Sequence, residues 1–151
     1  MIHLLCKRIT FRNSTNFERY LFTYMKLRLI KNSIRIRLRK SELAILSDKQ
    51  KIEESVNFPN HKTFRYELSF SDTSSKVSAD FLGNMLKVII PAQLANDWIN
   101  TNEVGIESYV DLKGKEKLHL LIEKDFPCKD RPEEDKSDTF TELVNDPTDS
   151  C

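Results

Sequence analysis

One pattern of apolar residues occurs twice in this chain, first after Asn32 and again after Asn84, 52 positions later. In each copy an extended stretch is followed by a short stretch with helical spacing. The matched pairs are Ile34 with Leu86, Ile36 with Val88, Leu38 with Ile90, Ile52 with Val104, Tyr66 with Leu118, Leu68 with Leu120 and Phe70 with Ile122, with one slip to a shift of 51 where Leu43 meets Leu94. A repeat of this length predicts two half-folds that close around one core.

The length of 151 residues fits one domain and leaves no room for two large ones. Residues 25–126 are predicted to form that domain, with the first repeat at 25–72 and the second at 76–126. Residues 1–24 are predicted to be an N-terminal extension upstream of the true start, the alternative being a short amphipathic helix before Met25. No apolar run approaches 18 residues, so the sequence predicts no membrane span.

Each repeat predicts two strands, a helix and two more strands. Gly and Asn tolerate the backbone conformation of tight hairpin turns, so turns are predicted at residues 31–32 and 83–84. The first helix is predicted to begin with Ser41 as its capping residue, and the second after Pro91 with Leu94 and Trp98 in the core. The predicted fold is mainly β, in the α+β class. It is a single-chain pseudo-two-fold β-barrel of two ββαββ repeats with two short helices.

Charge is distributed unevenly along the chain. Residues 1–72 contain fifteen basic and seven acidic residues, whereas residues 73–151 contain nine and sixteen. The acidic C-terminal tail, residues 127–151, is predicted to be largely disordered, because it has too few apolar side chains to offset the entropy of ordering. Its apolar residues are the candidates for docking on the domain or on a partner, and they are Phe140, Leu143 and Val144.

Cysteine and histidine residues are few and widely spaced. Cys6, Cys128 and Cys151 form an odd set without close pairs, which favours a reducing, cytoplasmic location over a disulfide framework. No group of ligands has the local spacing of a zinc site. No phosphate-binding glycine loop or nucleophile motif is present, and Asp125 is predicted to be a solvated surface carboxylate. The sequence therefore predicts no catalytic residue, metal or cofactor.

A row of basic residues in the first repeat is the strongest functional signal. Arginines alternate with apolar residues in one predicted strand, so their side chains are expected on one outer face. Basic residues of the preceding strand extend the predicted anion-binding or nucleic-acid-binding patch, whose candidates are Lys26, Arg28, Arg35, Arg37 and Arg39. Arginine forks match the geometry of phosphates. The alternative is a charged surface strand that prevents aggregation.

The second repeat resembles the AbrB/MazE swapped-hairpin family. Residues 88–91, Val-Ile-Ile-Pro, match the strand-to-helix junction of that family, and residues 104–110 match its alternating strand. Arg39 stands where the first repeat would need the proline. The resemblance implies half-barrels that dimerise and bind DNA, here fused into one polypeptide. The stretch from Met25 to the acidic end also resembles a small uncharacterised bacterial domain family, which implies no activity.

The leading hypothesis is a non-enzymatic bacterial β-barrel protein, monomeric with pseudo-dimer symmetry, that acts as an AbrB-like DNA-binding or regulatory module. Its partner would be DNA or an acidic protein, bound by the basic strand. The alternative is a protein-interaction module that acts through the acidic tail. A small-molecule enzyme is the third hypothesis.

Overall fold

A computed structural model describes residues 25–127 and 136–144. The elements in chain order are strands β1 (Lys26–Ile30) and β2 (Ser33–Leu38), helix α1 (Lys40–Lys49), strands β3 (Lys51–Phe58), β4 (Lys62–Ser71), β5 (Ser78–Leu82) and β6 (Met85–Pro91), helix α2 (Ala92–Ile99), strands β7 (Gly105–Asp111) and β8 (Lys117–Lys124), and a 3-10 helix at Thr141–Leu143. The predicted mainly β class with two α-helices is confirmed. Predictions on residues 1–24, on the three cysteines and on the rest of the tail concern positions outside the described residues.

The strands form two four-stranded sheets. Sheet A has the order β1-β2-β8-β7, and sheet B has the order β3-β4-β6-β5. Each sheet therefore joins a hairpin from the first half of the chain to a hairpin from the second half. The two hairpins meet through parallel pairs, β2 with β8 and β4 with β6. No closed barrel is found among the described residues, so the predicted barrel is not confirmed.

The pairing register changes the alignment proposed from the sequence. Ile122 lies opposite Ile36 in sheet A, and Leu68 lies opposite Val88 in sheet B. Ile36 and Val88 differ by 52 positions, but Leu68 and Ile122 differ by 54. The shift of 52 predicted for the last strands is therefore wrong, because the stretch from α2 to β7 is two residues longer than the stretch from α1 to β3.

The two sheets and both helices share one hydrophobic core. α1 contributes Leu43 and Leu46, and α2 contributes Ala95 and Trp98, which is fully buried. Leu94, expected in the core, is 38% exposed, because the buried face of α2 is the one that carries Ala95 and Trp98. Gly105 is required where β7 meets β8, since a Cβ atom at this position would lie 2.6 Å from the carbonyl oxygen of Ile122.

Both predicted hairpin turns are present. Lys31 adopts a φ of 50° between β1 and β2, and Gly83 and Asn84 adopt φ values of 57° and 64° between β5 and β6. The predicted start of α1 is wrong. The N-cap is Arg39, whose backbone N–H donates to the Glu42 carboxylate at 2.8 Å. Neither α1 nor α2, the α-helices of the described ranges, is long and apolar enough to cross a membrane.

Candidate nucleic-acid interface

The basic side chains of β1 and β2 lie on the outer face of sheet A. Burial alternates along β2, with Ile34, Ile36 and Leu38 in the core and the arginines between them half-buried. The antiparallel register places Arg28 opposite Arg35. The same period places Lys26, which lies opposite Arg37, on this face. Four of the five predicted basic residues are thus brought together, and they are named here the basic face: Lys26, Arg28, Arg35 and Arg37.

In the strand register of the basic face, like charges lie directly opposite each other. Side chains at directly opposed positions of an antiparallel pair are the closest cross-strand neighbours, and like charges there are destabilising. Both cross-strand pairs of the basic face, Lys26 with Arg37 and Arg28 with Arg35, are positive on both sides. This half of the sheet surface therefore carries four cations on two adjacent strands with no acidic residue between them.

Two carboxylates from the end of β8 partly neutralise the basic face. Glu123 Oε2 accepts hydrogen bonds from Arg35 Nε at 2.6 Å and from Arg37 Nε at 3.3 Å. Asp125 is 1% exposed, and its Oδ2 lies 2.8 Å from Lys26 Nζ. The expectation of a solvated Asp125 is therefore wrong, because the residue is enclosed between the end of β2 and the docked tail. Among the described residues, Arg28 forms no ion pair, and it is exposed.

Arg39 does not join the basic face. It follows the end of β2 and caps α1, and its Nε atom is buried. It lines a cleft of about 500 Å³ between the two sheets, together with Glu54 and Tyr66. The Tyr66 hydroxyl donates to the Met25 carbonyl at 2.7 Å. Burial, followed by the charges of Glu54 and a second acid, raises the pKa of Tyr66 to about 12.

A pocket opens on the outer face of sheet A beside the basic face. Its volume is about 270 Å³, and it is lined by Arg28, Ile30, Ser33, Arg35, His119 and Leu121. Two guanidinium groups, a hydroxyl and an imidazole here surround a space with apolar walls. Such a combination can hold a phosphate group through charge-assisted hydrogen bonds.

His119 is held in place by three neighbours. Ser33 Oγ lies 3.3 Å from His119 Nδ1, and Glu107 Oε1 lies 2.8 Å from His119 Nε2. The Tyr109 ring stacks on the imidazole with centroids 4.8 Å apart, and its hydroxyl donates to Glu107 at 3.1 Å. This hydrogen bond, followed by the charge of Glu107, raises the pKa of Tyr109, so its hydroxyl stays neutral at ordinary pH.

Five residues of the site were not predicted from the sequence, and they are Ser33, Glu107, Tyr109, His119 and Glu123. Ser33 belongs to β2 itself. The other four lie beside the basic face because β8 pairs with β2 in parallel, with His119 opposite Ser33 and Glu123 opposite Arg37, and because β7 pairs with β8. The usable signal was the alternation within β8, where residues 117, 119, 121 and 123 share one face.

The described part of the tail docks near the N-terminus of α1 rather than on the basic face. Asp138 Oδ1 accepts from the backbone N–H of Ser41 at 2.9 Å, and its carbonyl accepts from the N–H of Lys40 at 3.0 Å. Carboxylates stabilise helix N-termini, where the N–H groups have no intrahelical partner. Ser41, the predicted capping residue, is therefore itself capped by the tail.

All three predicted docking residues are half-buried, and Phe140 is the one that joins the hydrophobic core. Its ring packs against the core, its backbone N–H donates to the Asp125 carbonyl at 2.9 Å, and Lys124 Nζ lies 5.7 Å from the ring centroid. Burial lowers the pKa of Lys124. Leu143 and Val144 are half-buried at the end of the described segment.

The described residues contain no group of three or more His, Cys, Asp or Glu side chains that could hold a metal ion. The basic face and the pocket beside it present cations, hydrogen-bond donors and aromatic rings on an open sheet surface. Together, the fold and the site define a mainly β domain of two sheets. Each sheet combines one hairpin from each half of the chain, and sheet A has a basic outer face.

Comparison with known proteins identifies the family. The chain belongs to DUF7009, a family of unknown function whose profile matches residues 25–143. The match includes the docked segment that contains Phe140. No curated protein and no solved structure gives a significant match. The resemblance to the AbrB/MazE family is not confirmed by these comparisons.

Proposed function

We propose that this protein is a non-catalytic nucleic-acid-binding module of the cytoplasm, and that the basic face of sheet A binds the phosphate backbone of DNA. The proposal gives the four cations on β1 and β2 one common partner. Phosphates of a nucleic acid form a row of closely spaced negative charges, which matches a row of basic residues on adjacent strands.

The observation that carries the proposal is the direct opposition of like charges across β1 and β2. Arg28 opposite Arg35 and Lys26 opposite Arg37 weaken the pairing of the two strands. A sheet whose surface charges only maintain solubility has no need of this arrangement, since both signs can be mixed at no cost. A polyanion that lies across the two strands would remove the repulsion and convert it into binding free energy.

The contacts of the individual cations support the same partner. Glu123 satisfies one N–H of Arg35 and one of Arg37, and Arg35, whose side chain is 25% exposed, keeps further donors for phosphate oxygens. Arg37 is less accessible, because its side chain is 15% exposed and its guanidinium lies 5.5 Å from the Phe126 ring centroid. Arg28 is exposed and forms no ion pair within the described residues, so it meets a ligand without first giving up a carboxylate. We therefore expect Arg28 to contribute most to the first encounter with DNA.

The fold supports a single-chain version of an AbrB-like architecture. In a swapped-hairpin dimer each sheet is completed by the partner, and here each sheet is completed by the other half of the same chain. We propose that the two halves are a repeat and that the protein acts as a monomer, because the hairpin exchange is satisfied within one polypeptide. The basic face lies on sheet A.

The test is a DNA-binding titration by fluorescence anisotropy at several salt concentrations. Affinity should fall steeply with salt, with a log–log slope near −0.9 for each phosphate contacted. Arg28→Ala should weaken binding by roughly 3- to 10-fold and reduce the magnitude of that slope by about 1. Arg65→Ala is the matched control, because Arg65 is an exposed arginine of sheet B.

Two results would count against the proposal. Binding that does not change with salt would exclude the phosphate backbone as the main contact. An equal loss in Arg28→Ala and Arg65→Ala would show that overall charge, rather than the basic face, drives association.

A second candidate function is protein recruitment by the tail. It is favoured by the position of Leu143 and Val144, which are half-buried at the end of a segment that Phe140 anchors to the domain. Anchored acidic segments with a few apolar residues can present a short motif to a partner. A Leu143→Ala and Val144→Ala double variant should then lose cross-linking to its partner but keep its DNA affinity, and a loss of DNA affinity alone would exclude this function.

A further inference from the structure

Tyr109 and His119 form an aromatic platform at the edge of sheet A. Their rings are stacked with an interplanar angle of 19°, and Glu107 accepts from the Tyr109 hydroxyl while lying 2.8 Å from His119 Nε2. The Tyr109 side chain is nonetheless 58% exposed. Within the described residues β7 is the last strand of sheet A, so no further strand of that sheet lies on the other side of this ring.

The platform lies next to the pocket that contains two arginines. His119 belongs to both features, because it lines the pocket with Arg28 and Arg35 and supports the Tyr109 ring. Neighbouring strands are roughly 4.8 Å apart, so the two strand spacings from β2 to β7 separate the arginine side of the pocket from Tyr109 by about 10 Å. Glu107 would repel a phosphate near Tyr109, so phosphate is directed to the arginine side.

We infer that the nucleic acid recognised by this face is single-stranded. One of its phosphates binds in the pocket between Arg28 and Arg35, and a base of a neighbouring nucleotide stacks on Tyr109. This inference rests on the proposed function and specifies the form of the ligand.

Base stacking separates a single strand from a duplex. In a duplex the bases are stacked on one another inside the helix, so their flat faces are not available for stacking on a surface tyrosine. In a single strand the bases are free to stack on aromatic side chains, while a basic surface follows the phosphates. An exposed aromatic ring beside two arginines on an open sheet has the composition of such a surface.

The experiment compares one labelled oligonucleotide of about 16 nucleotides, free and annealed to its complement, with the full-length protein at low salt. The expected result is tighter binding of the single strand. Tyr109→Ala should lower single-strand affinity about tenfold and leave duplex affinity unchanged. Tyr109→Phe keeps the ring and should lose less than about twofold. A matching RNA strand shows whether the site prefers ribose or deoxyribose.

Two control variants identify the contact. Phe81→Ala removes an aromatic side chain of sheet B that is 61% exposed, and it should not change either affinity. Thermal unfolding of every variant shows that the domain remains folded. Equal or tighter binding of the duplex would overturn the inference, and so would a loss of affinity in Tyr109→Ala that is the same for both ligands. In either case the Arg28→Ala variant still tests the proposed function separately. Failure of both ligands to bind would overturn both proposals.

Discussion

The outer faces of the two sheets have one feature in common, and they differ in the charges that surround this feature. Each face has a nearly buried glutamate, Glu123 in sheet A and Glu67 in sheet B. Each glutamate contacts two basic side chains, which are Arg35 and Arg37 for Glu123 and Lys51 and Lys87 for Glu67. In both sheets a nearly buried carboxylate therefore holds two basic side chains of the face.

The surrounding charges are mixed in sheet B and segregated in sheet A. In sheet B, Lys87 lies between Asp80 and Glu67 in the strand register, and Arg65 lies 3.8 Å from Glu53. In sheet A the strands β1 and β2 carry cations opposite cations, and the carboxylates come from the neighbouring β8 or its end. Sheet B also opposes one like-charged pair, Glu53 with Glu67, but Arg65 lies beside Glu53 and two lysines lie beside Glu67. In sheet A four cations share two carboxylates, and an anionic ligand would relieve the repulsion that remains.

The largest expected effect concerns the ion pair at the end of the basic face. Lys26→Ala leaves the carboxylate of Asp125 buried, and we expect it to lower the free energy of unfolding by about 2–3 kcal/mol. This is less than the loss of a fully buried pair, because Lys26 itself is partly exposed. Lys51→Ala is the counterpart in sheet B and should cost less than about 1 kcal/mol, since Glu67 keeps Lys87 at 3.2 Å.

Urea unfolding of both variants measures this difference. An equal loss of stability in the two variants would contradict the predicted difference between the sheets. Asp125 would then be as well compensated without its lysine as Glu67 is. A larger loss of unfolding free energy in Lys51→Ala than in Lys26→Ala would reverse the predicted difference.

A smaller effect is expected in nucleic-acid binding when the nearly buried glutamates, Glu123 and Glu67, are neutralised. Glu123→Gln removes the carboxylate that holds Arg35 and Arg37, so we expect affinity at low salt to rise roughly threefold or more and the salt slope to steepen by up to about 1. Glu67→Gln makes the same charge change in sheet B. It should raise affinity much less, because its lysines lie on the other sheet.

Anisotropy titrations with one oligonucleotide compare the two glutamine variants directly. The net charge of the protein is identical in both, so a difference between them reports the location of the ligand. If both variants gained equally, binding would follow net charge and the basic face would have no special role.

The sequence was sufficient to predict the parts of the site that depend on local periodicity. Arg35 and Arg37 alternate with apolar residues inside one strand, so their common face follows from the period of two. Arg39 belongs to the same alternation, but the chain turns into α1 directly after Leu38, and its guanidinium is directed toward the cleft. A period cannot indicate where a strand ends.

The other half of the site depends on pairing between distant segments. His119 lies opposite Ser33, 86 positions earlier in the chain, and β7 then adds Tyr109 beside His119. The repeat predicted two related halves, but it did not indicate that each sheet would combine hairpins from both. The same holds for the tail. Asp138 binds Ser41, 97 positions away in the chain, and no local sequence pattern predicts this contact.

The smallest expected effect tests a position at which the two sheets differ in the core. Tyr66 in β4 lies opposite Leu86, and the corresponding place in β8, opposite Ile34, is occupied by Leu120. Only sheet B therefore has a titratable group there, and its hydroxyl donates to Met25 at the start of sheet A. Tyr66→Phe should cost about 1 kcal/mol near neutral pH, because the Met25 carbonyl loses its donor.

This difference should shrink at high pH. The pKa of Tyr66 is about 12 in the folded protein and near 10 in the unfolded chain, so folding favours the protonated hydroxyl. Its contribution to stability is complete below about pH 10 and is lost as the pH rises toward 12, at less than about 1 kcal/mol per pH unit because the side chain is only half-buried. Urea unfolding of the wild type and of Tyr66→Phe from about pH 8 to about pH 12 measures the change. A difference between the two proteins that stays constant over this range would show that Tyr66 titrates alike in both states, and the contrast with Leu120 would then be one of hydrogen bonding alone.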